Sequence, residues 1–311
     1  MNLDYKIAIL GGTSHIAKNL ILRFNARYEL IIFCRNFIAM REFLEINIPI
    51  ASYKILPYEK FVSGVYDVII NCIGIADPKK QKSDPYESFR VTEYFDSMAI
   101  DYVKSHPSVK YINLSSGAVF GTEFNEPISE ESKAIFYPNK LCLGDCYRMA
   151  KLNSEAKHRC LTPLQIVDIR IFSFFSRYID LEAGFFLSEV AKCLLLKRPF
   201  ITNASDMTRD YISPDDLYAL IVAIISRESG NVVLDAHSAQ PVKKSELLKL
   251  LSSEFHLVVE YNNSEIFTLS GDKSEYFSIT KTVESLLNIF PTQTSLEFIQ
   301  SELKEIINNY P

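Results

Sequence analysis

The chain has no tryptophan, no block of about five like charges, and no uncharged apolar run near the roughly 18 residues that cross a membrane. A helical membrane protein is therefore not expected. With a net charge of −5 and no basic stripe, a nucleic-acid partner is not expected either. Met1–Leu10 already reads as a strand and lacks the basic flank of a secretory leader, which makes a cytoplasmic location the expectation. No internal repeat or low-complexity tract is present. Cys142, Cys146, His158 and Cys160 lie close in sequence but match no zinc spacing, so no metal site is expected. Cys34 and Cys72 sit in apolar strand patterns, where reduced buried thiols are common.

What is there is an ordinary globular composition, with 311 residues, 48% hydrophobic and 23% charged. Short Val/Ile/Leu runs alternate with helical patterns through the first half. Strands are expected at Tyr5–Leu10, Leu30–Cys34, Tyr53–Leu56, Val65–Cys72, Val109–Leu114 and Gln165–Ile171. Helices are expected at His15–Arg27, Phe37–Glu45, Tyr86–Ser105 and Cys146–Cys160, and a long polar loop at Gly121–Cys146. Continuous apolar strands separated by helices argue for an α/β fold with a parallel sheet covered on both faces. After Ile171 the pattern loosens into a smaller mixed lobe, with helices at Ala183–Leu196, Asp215–Ser226, Ser245–Glu254 and Ser295–Asn309 and a short strand at Gly230–Asp235. The expected division is 1–171 as a nucleotide-binding domain, with a return segment near 201–240, and 172–311 as mostly a substrate lobe.

The first strand runs into Gly11-Gly12-Thr13-Ser14-His15-Ile16-Ala17. A strand, a glycine turn and a helix make the setting in which a pyrophosphate rests on helix N-terminal amides. Gly11 and Gly12 allow the bend, while Ser14 and Ala17 are small enough for close approach. Gly11, Thr13, Ser14, His15 and Ile16 are thus candidate dinucleotide contacts. The second strand ends in Cys34-Arg35-Asn36, where an NAD-selective site usually has a carboxylate. An arginine here can pair with a 2′-phosphate, which favours NADP over NAD, although a solvated Arg35 would permit either.

Tyr147 and Lys151 are four apart on one helix face. A free phenol titrates near pH ~10, and a neighbouring ammonium favours its ionised form. The same lysine can hold the nicotinamide ribose. Such a pair is common by chance and gains weight from its context. Another strand ends in Asn113-Leu114-Ser115-Ser116-Gly117, and active-site groups gather at such strand ends.

In this order the motifs resemble the extended short-chain dehydrogenase/reductases, a group of sugar-nucleotide epimerases, dehydratases and reductases. The resemblance rests on Gly11–Ala17, Asn71-Cys72-Ile73-Gly74, Ser115–Gly121, Tyr147/Lys151, and Arg209-Asp210-Tyr211-Ile212 with Asp216-Leu217. It implies a Rossmann-type doubly wound sheet with a smaller mixed α/β C-terminal substrate lobe. It implies Tyr147 as acid–base, Lys151 as its partner, and Ser116 on the reacting oxygen. Asn71, Cys72, Ile73 and Gly74 would line the cofactor, and Arg209 would meet a nucleotide-sugar diphosphate, though Arg209 could equally pair with a nearby acid. A homodimer through Tyr86–Ser105 and Cys146–Cys160 is also implied. Two positions depart from the family pattern, which has asparagine where this chain has Ser173, a candidate substrate contact, and commonly asparagine at Arg90.

The family's dehydratases carry Asp-Glu directly after the catalytic Ser or Thr, where this chain has Gly117 and Ala118. Neither titrates, which argues against dehydration. The expected activity is NADPH-dependent reduction of a nucleoside-diphospho-4-keto-6-deoxyhexose. An NAD-dependent 4-epimerase is the close alternative. A non-catalytic dinucleotide sensor is the alternative of another class, although such relatives tend to lose the tyrosine or lysine.

Overall fold

The computed structural model describes residues 5–48, 53–121, 123–262 and 274–309. The first half forms β1 (Lys6–Leu10), α1 (His15–Phe24), β2 (Glu29–Phe33), α2 (Phe37–Asn47), β3 (Tyr53–Leu56), β4 (Val68–Asn71), α3 (Pro78–Ser83), α4 (Pro85–Ser105), β5 (Lys110–Ser116), α5 (Leu143–Arg159) and β6 (Ile166–Ile171). These six strands lie in the order β6-β5-β4-β1-β2-β3, all parallel. The order reverses at β1, the switch point where such sheets open a crevice at their carboxyl ends.

Strand alternation explains why both faces are covered. Along β1, Ile7 and Ile9 enter one apolar cluster, and Ala8 and Leu10 enter the other. α1 places Ala17, Leu20, Ile21 and Phe24 on its buried face, a helical spacing that fills the first cluster. On the second face Tyr66, Tyr102 and Val103 pack with Phe33. α4 and α5 lie side by side over that region.

The later chain adds β7 (Ser173–Phe174), α6 (Phe186–Leu195), β8 (Phe200–Thr202), β9 (Thr208–Arg209), β10 (Tyr211–Ile212), α7 (Pro214–Ile225), β11 (Asn231–Ala236), β12 (Val242–Lys243), α8 (Lys244–Phe255), β13 (Val259–Tyr261), β14 (Glu275–Tyr276), α9 (Thr282–Leu287) and α10 (Ser295–Asn309). β11 joins the central sheet beside β6 as its seventh strand. Of the return segment expected near 201–240, it is β11, around Val232, that reaches the central sheet, whereas β8, around Ile201, pairs with β13 in a separate two-stranded sheet. β12, β9 and β14 form a small three-stranded sheet. A third cluster, including Phe175, Leu187, Val190, Leu247 and Phe298, is the core of this region.

α5 begins at Leu143 rather than Cys146. The Asp145 carboxylate accepts the Cys142 amide at 2.9 Å, closing the first turn early. The polar stretch after β5 is a loop with two short 3₁₀ turns, Gly117–Phe120 and Pro138–Lys140. No helix among the described residues is long and apolar enough to cross a membrane.

Candidate active site

The glycine turn follows β1. Gly11 has φ +81, and a Cβ there would meet Ile73 Cγ1 at 2.9 Å and the Cys72 carbonyl at 3.3 Å. Only glycine keeps the turn open at this contact. The Gly11 and Gly12 amides both donate to the Phe33 carbonyl, at 3.0 and 2.9 Å, tying the turn to β2. Ser14 caps α1 by accepting the Ala17 amide at 3.3 Å. Thr13 is exposed, and Ser14 and Ile16 are half-buried. First-turn amides have no partner inside a helix, and the dipole favours an anion there. A turn that a side chain would fill, followed by such amides, fits a dinucleotide pyrophosphate. The His15 ring takes no part in this. It shares a 2.7 Å hydrogen bond with Ser176 and sits edge-on to Phe174, and burial lowers its pKa to about 3. His15 can offer a backbone amide, not an imidazole.

Beyond β2, Cys34 is buried and Arg35 is exposed. Asn36 caps α2 by accepting the Ala39 amide at 3.0 Å. The chain brings another basic group here. Arg90 clamps Glu87 with contacts of 2.6 and 2.5 Å, holding that carboxyl below its usual range, and Arg35 adds to the effect from nearby. Arg35 thus lies within electrostatic reach of the Glu87–Arg90 pair.

The loop after β4 is braced from below. Asn71 is buried, accepts the Ile73 amide at 3.0 Å and donates to the Tyr111 hydroxyl at 3.0 Å. Its side chain is thus committed within the protein. Cys72 donates its amide to the Leu10 carbonyl at 3.0 Å, and burial pushes its thiol up to about 12, leaving it inert. Lys151 is buried and donates to the Leu114 carbonyl at 2.8 Å and the Ile73 carbonyl at 3.3 Å. A Cβ on Gly74 would stand 3.2 Å from its Nζ. Burial lowers the Lys151 pKa, and Asp96 and Asp168 oppose that shift.

Ser116 ends β5, and its hydroxyl accepts the Ala118 amide at 3.2 Å. Tyr147 is half-buried on α5 and partners Ser116. Burial raises its phenol pKa and the Ser116 hydroxyl pulls it back. A residue the sequence did not single out completes the group. The Tyr276 hydroxyl lies 3.4 Å from Ser116 Oγ, and its ring packs against Phe124 and Phe172. Tyr276 stands opposite Arg209 in the pairing of β14 with β9, and the Arg209 guanidinium lies 5.6 Å from the Tyr276 ring centre. No motif marks Tyr276. Its only trace in the sequence is a tyrosine shortly before an amphipathic helix start.

Ser116, Tyr147, Tyr276 and Arg209 thus come together, and Lys151 sits one turn along the same helix from Tyr147. Ser173 lies in β7, half-buried and paired with Tyr211 of β10, just beyond β6. Of the aromatics after β6, Phe175 belongs to the core of the later chain, and Tyr178 packs edge-on to Phe43 at 5.3 Å. His158 stands between two carboxylates, Asp96 and Asp168, rather than with the cysteines.

Comparison with known proteins gives one match to a family model and many to solved structures. The model of the NAD dependent epimerase/dehydratase family matches residues 7–234. A UDP-N-acetylglucosamine 4-epimerase from Methanobrevibacter ruminantium M1, solved with UDP-N-acetylmuramic acid, has a TM-score of 0.79 at 15% identity, covering 98% of both chains. A dTDP-glucose 4,6-dehydratase from Bacillus anthracis, solved with NAD, has a TM-score of 0.79 at 14% identity, covering 98% of this chain and 97% of that one. A UDP-glucose 4-epimerase from Thermotoga maritima, solved with UDP-glucose, has a TM-score of 0.79 at 15% identity, covering 97% and 98%. At these identities the likeness is one of fold. No curated protein matches the chain by sequence.

Proposed function

The chain belongs to the NAD dependent epimerase/dehydratase family, and from that membership we propose that it is an NAD(P)-dependent oxidoreductase acting on a nucleotide-activated sugar. The observation that carries the reading is the 3.4 Å contact of the Ser116 and Tyr276 hydroxyls at the carboxyl end of β5, with Arg209 beside Tyr276 and with α5, which carries Tyr147 and Lys151, packed against the same strand end.

In this reading Gly11, Thr13, Ser14 and the first turn of α1 hold the pyrophosphate, Ile73 and Gly74 line the nicotinamide half, and Lys151 holds its ribose. A bound nicotinamide supplies or accepts the hydride. The protein's own residues handle the proton and the charge. Tyr147 exchanges a proton with the reacting sugar oxygen. Lys151 offers the positive charge that eases ionisation of the phenol. Ser116 donates to the same oxygen as charge builds on it. Arg209 pairs with the diphosphate of the sugar nucleotide, and residues 172–311 form most of the sugar and base pocket.

Two reactions fit a site with one proton carrier. The first is 4-epimerisation, which the solved relatives' own activities favour. The second is reduction of a nucleoside-diphospho-4-keto-6-deoxyhexose, which Arg35 favours because an arginine at this position suits the 2′-phosphate of NADPH. Dehydration is disfavoured by packing as well as by chemistry. A side chain at Gly117 would meet the Phe172 ring at 2.5 Å, and Ala118 carries no titratable group. Identifying the dinucleotide that copurifies, then following reduced-nicotinamide absorbance with a panel of nucleotide-sugars, tests the reading. Retained NAD with sugar interconversion and no net absorbance change is expected of the epimerase. Net NADPH oxidation would select the reductase. No turnover of any nucleotide-sugar would defeat both.

A further inference from the structure

Behind the proposed proton-transfer site runs a buried polar chain to which the functional reading gives no role. Asp96 on α4, Tyr111 on β5 and His158 on α5 are fully buried. His158 Nε2 meets Asp96 Oδ1 at 2.8 Å, and its Nδ1 meets both oxygens of Asp168, at 2.9 and 3.0 Å. Carboxylates only accept, so both ring nitrogens must carry protons and the ring is an imidazolium. Tyr111 donates to the same Asp96 oxygen at 3.0 Å. From there the contacts run toward the site. Asn71 donates to Tyr111 at 3.0 Å, the Ile73 amide donates to Asn71 at 3.0 Å, and Lys151 donates to the Ile73 carbonyl at 3.3 Å. A parallel arm serves the next strand, where Asn113 donates to Asp168 at 2.7 Å and stands beside Asn71 in the register of β4 and β5.

Burying an imidazolium and two carboxylates in the centre of an α/β layer is costly, and well-packed apolar side chains would stabilise the same space at least as well. The carboxylates are also paired outward, Asp96 with Lys157 and Asp168 with Arg159, each at 2.8 Å, and such a network gives something apolar packing does not, namely one fixed geometry for the groups it ends on. Here it ends on the peptide that receives the lysine. Among the described residues Lys151 has no carboxylate in contact. Its place is set by two carbonyls, one on β5 and one on the Ile73 loop. The loop carbonyl is the one whose position depends on the chain.

We propose that Asp96, Tyr111 and His158 form a positioning relay that fixes the Ile73 peptide, and through it the Lys151 ammonium, at the mouth of the sheet. The proposal rests on the reading of Lys151 as the lysine that holds the cofactor ribose and assists Tyr147. None of the three relay residues is a catalytic residue; each acts through Asn71 and Ile73.

The test is Tyr111→Phe, which removes the hydroxyl between Asp96 and Asn71 with little change of shape. Three readouts are made on the full chain. Hydrogen exchange at the Ile73 amide needs neither cofactor nor substrate and should quicken. Affinity for reduced dinucleotide, followed by its own fluorescence, should fall about tenfold, as for other outer supports of a binding group. Turnover should fall about tenfold or more while KM for the sugar stays, because a displaced catalytic group costs rate rather than substrate binding. His158→Gln keeps a donor toward one carboxylate and carries the same expectations should Tyr111→Phe fold poorly. Lys110→Met is the stability control. It unties a buried lysine, at the far end of β5, from the carbonyls of Ile224 at the end of α7 and of Arg227 just beyond it, and should lower stability while leaving all three readouts alone. Unchanged exchange at Ile73 in both relay variants overturns the proposal. So does a loss of affinity and turnover in Lys110→Met equal to theirs. If the wild-type chain binds no dinucleotide, the functional reading falls, and the exchange at Ile73 still decides the relay.

Discussion

The hydroxyls of Ser116 and Tyr276 meet at 3.4 Å although 160 positions separate them in the chain. The contact brings the late chain directly onto the carboxyl end of β5. Burial pushes the Tyr276 phenol well above its usual range, with Ser116 opposing, so Tyr276 stays un-ionised at physiological pH. Tyr276→Phe is expected to keep the ring contacts with Phe124 and Phe172 and to change stability by no more than about 1 kcal/mol. Tyr276→Ala empties that cluster and should cost about 3–5 kcal/mol. Urea unfolding of the two variants separates the hydroxyl from the ring, and steady-state assay of Tyr276→Phe shows whether the hydroxyl contributes to turnover.

Tyr147→Phe distinguishes an enzyme from a dinucleotide sensor. Loss of the proton carrier should lower kcat by about 10²–10⁴. Dinucleotide affinity should stay within about twofold, since Lys151 retains its carbonyl partners. Isothermal titration with the dinucleotide, beside the turnover assay, checks both. Equal turnover in the variant would remove Tyr147 from the chemistry.

Gly117→Asp restores the first acid of a dehydratase pair and should fail to create one. The new Cβ would stand 2.5 Å from two carbons of the Phe172 ring. Overpacking of this kind costs about 1–3 kcal/mol. A lower urea midpoint and no 4-keto-6-deoxy product are expected. A stable variant would mean that Phe172 moves aside freely.

Arg35→Ala measures the cofactor preference. If Arg35 pairs with the 2′-phosphate, NADPH affinity should fall by about 1.5–3 kcal/mol and NADH affinity should hardly change. A variant in which both cofactors bind as before would favour the NAD reading, with Arg35 merely solvated.

His158 and His15 bound the pH range of stability from opposite sides. Burial opposes the charged His158 ring, but hydrogen bonds to Asp168 and Asp96 outweigh it and raise its pKa to about 9, above the ordinary 6.5. Its contribution is complete below about pH 6.5 and is lost as pH rises through about 9. His15 is the reverse. Burial lowers it to about 3, so its contribution is present above about 6.5 and is lost as pH falls toward 3. Urea unfolding across this range should show both limbs. His158→Gln should flatten the alkaline one, and an unchanged alkaline limb would contradict a protonated His158.

Much of the fold was legible because its cause is local. Continuous apolar runs at β1, β2, β4, β5 and β6, alternating with helical patterns, leave a parallel sheet as the compact solution. The glycine turn was legible because Gly11 alone tolerates its φ and its contact with Ile73. The Tyr147–Lys151 pair was legible from a four-residue spacing on one helix. Other features were not legible there. Ile201 reads as an apolar strand residue, but which sheet takes it depends on β13, far along the chain. Where the His15 ring goes is not written in the glycine turn, because its partner Ser176 lies 161 positions away.

The sequence by itself determined the alternation of strands and helices, the turn that suits a pyrophosphate, and the order of motifs that marks the family. These follow from backbone preferences and from spacing within a few residues. The tertiary structure alone decided that Tyr276 reaches Ser116, that Phe172 fills the space beside Gly117, and that Asn71 is held by Tyr111 and Asp96. Each depends on contacts between distant segments, and side-chain identity along a chain carries no information about a partner until packing brings the two together.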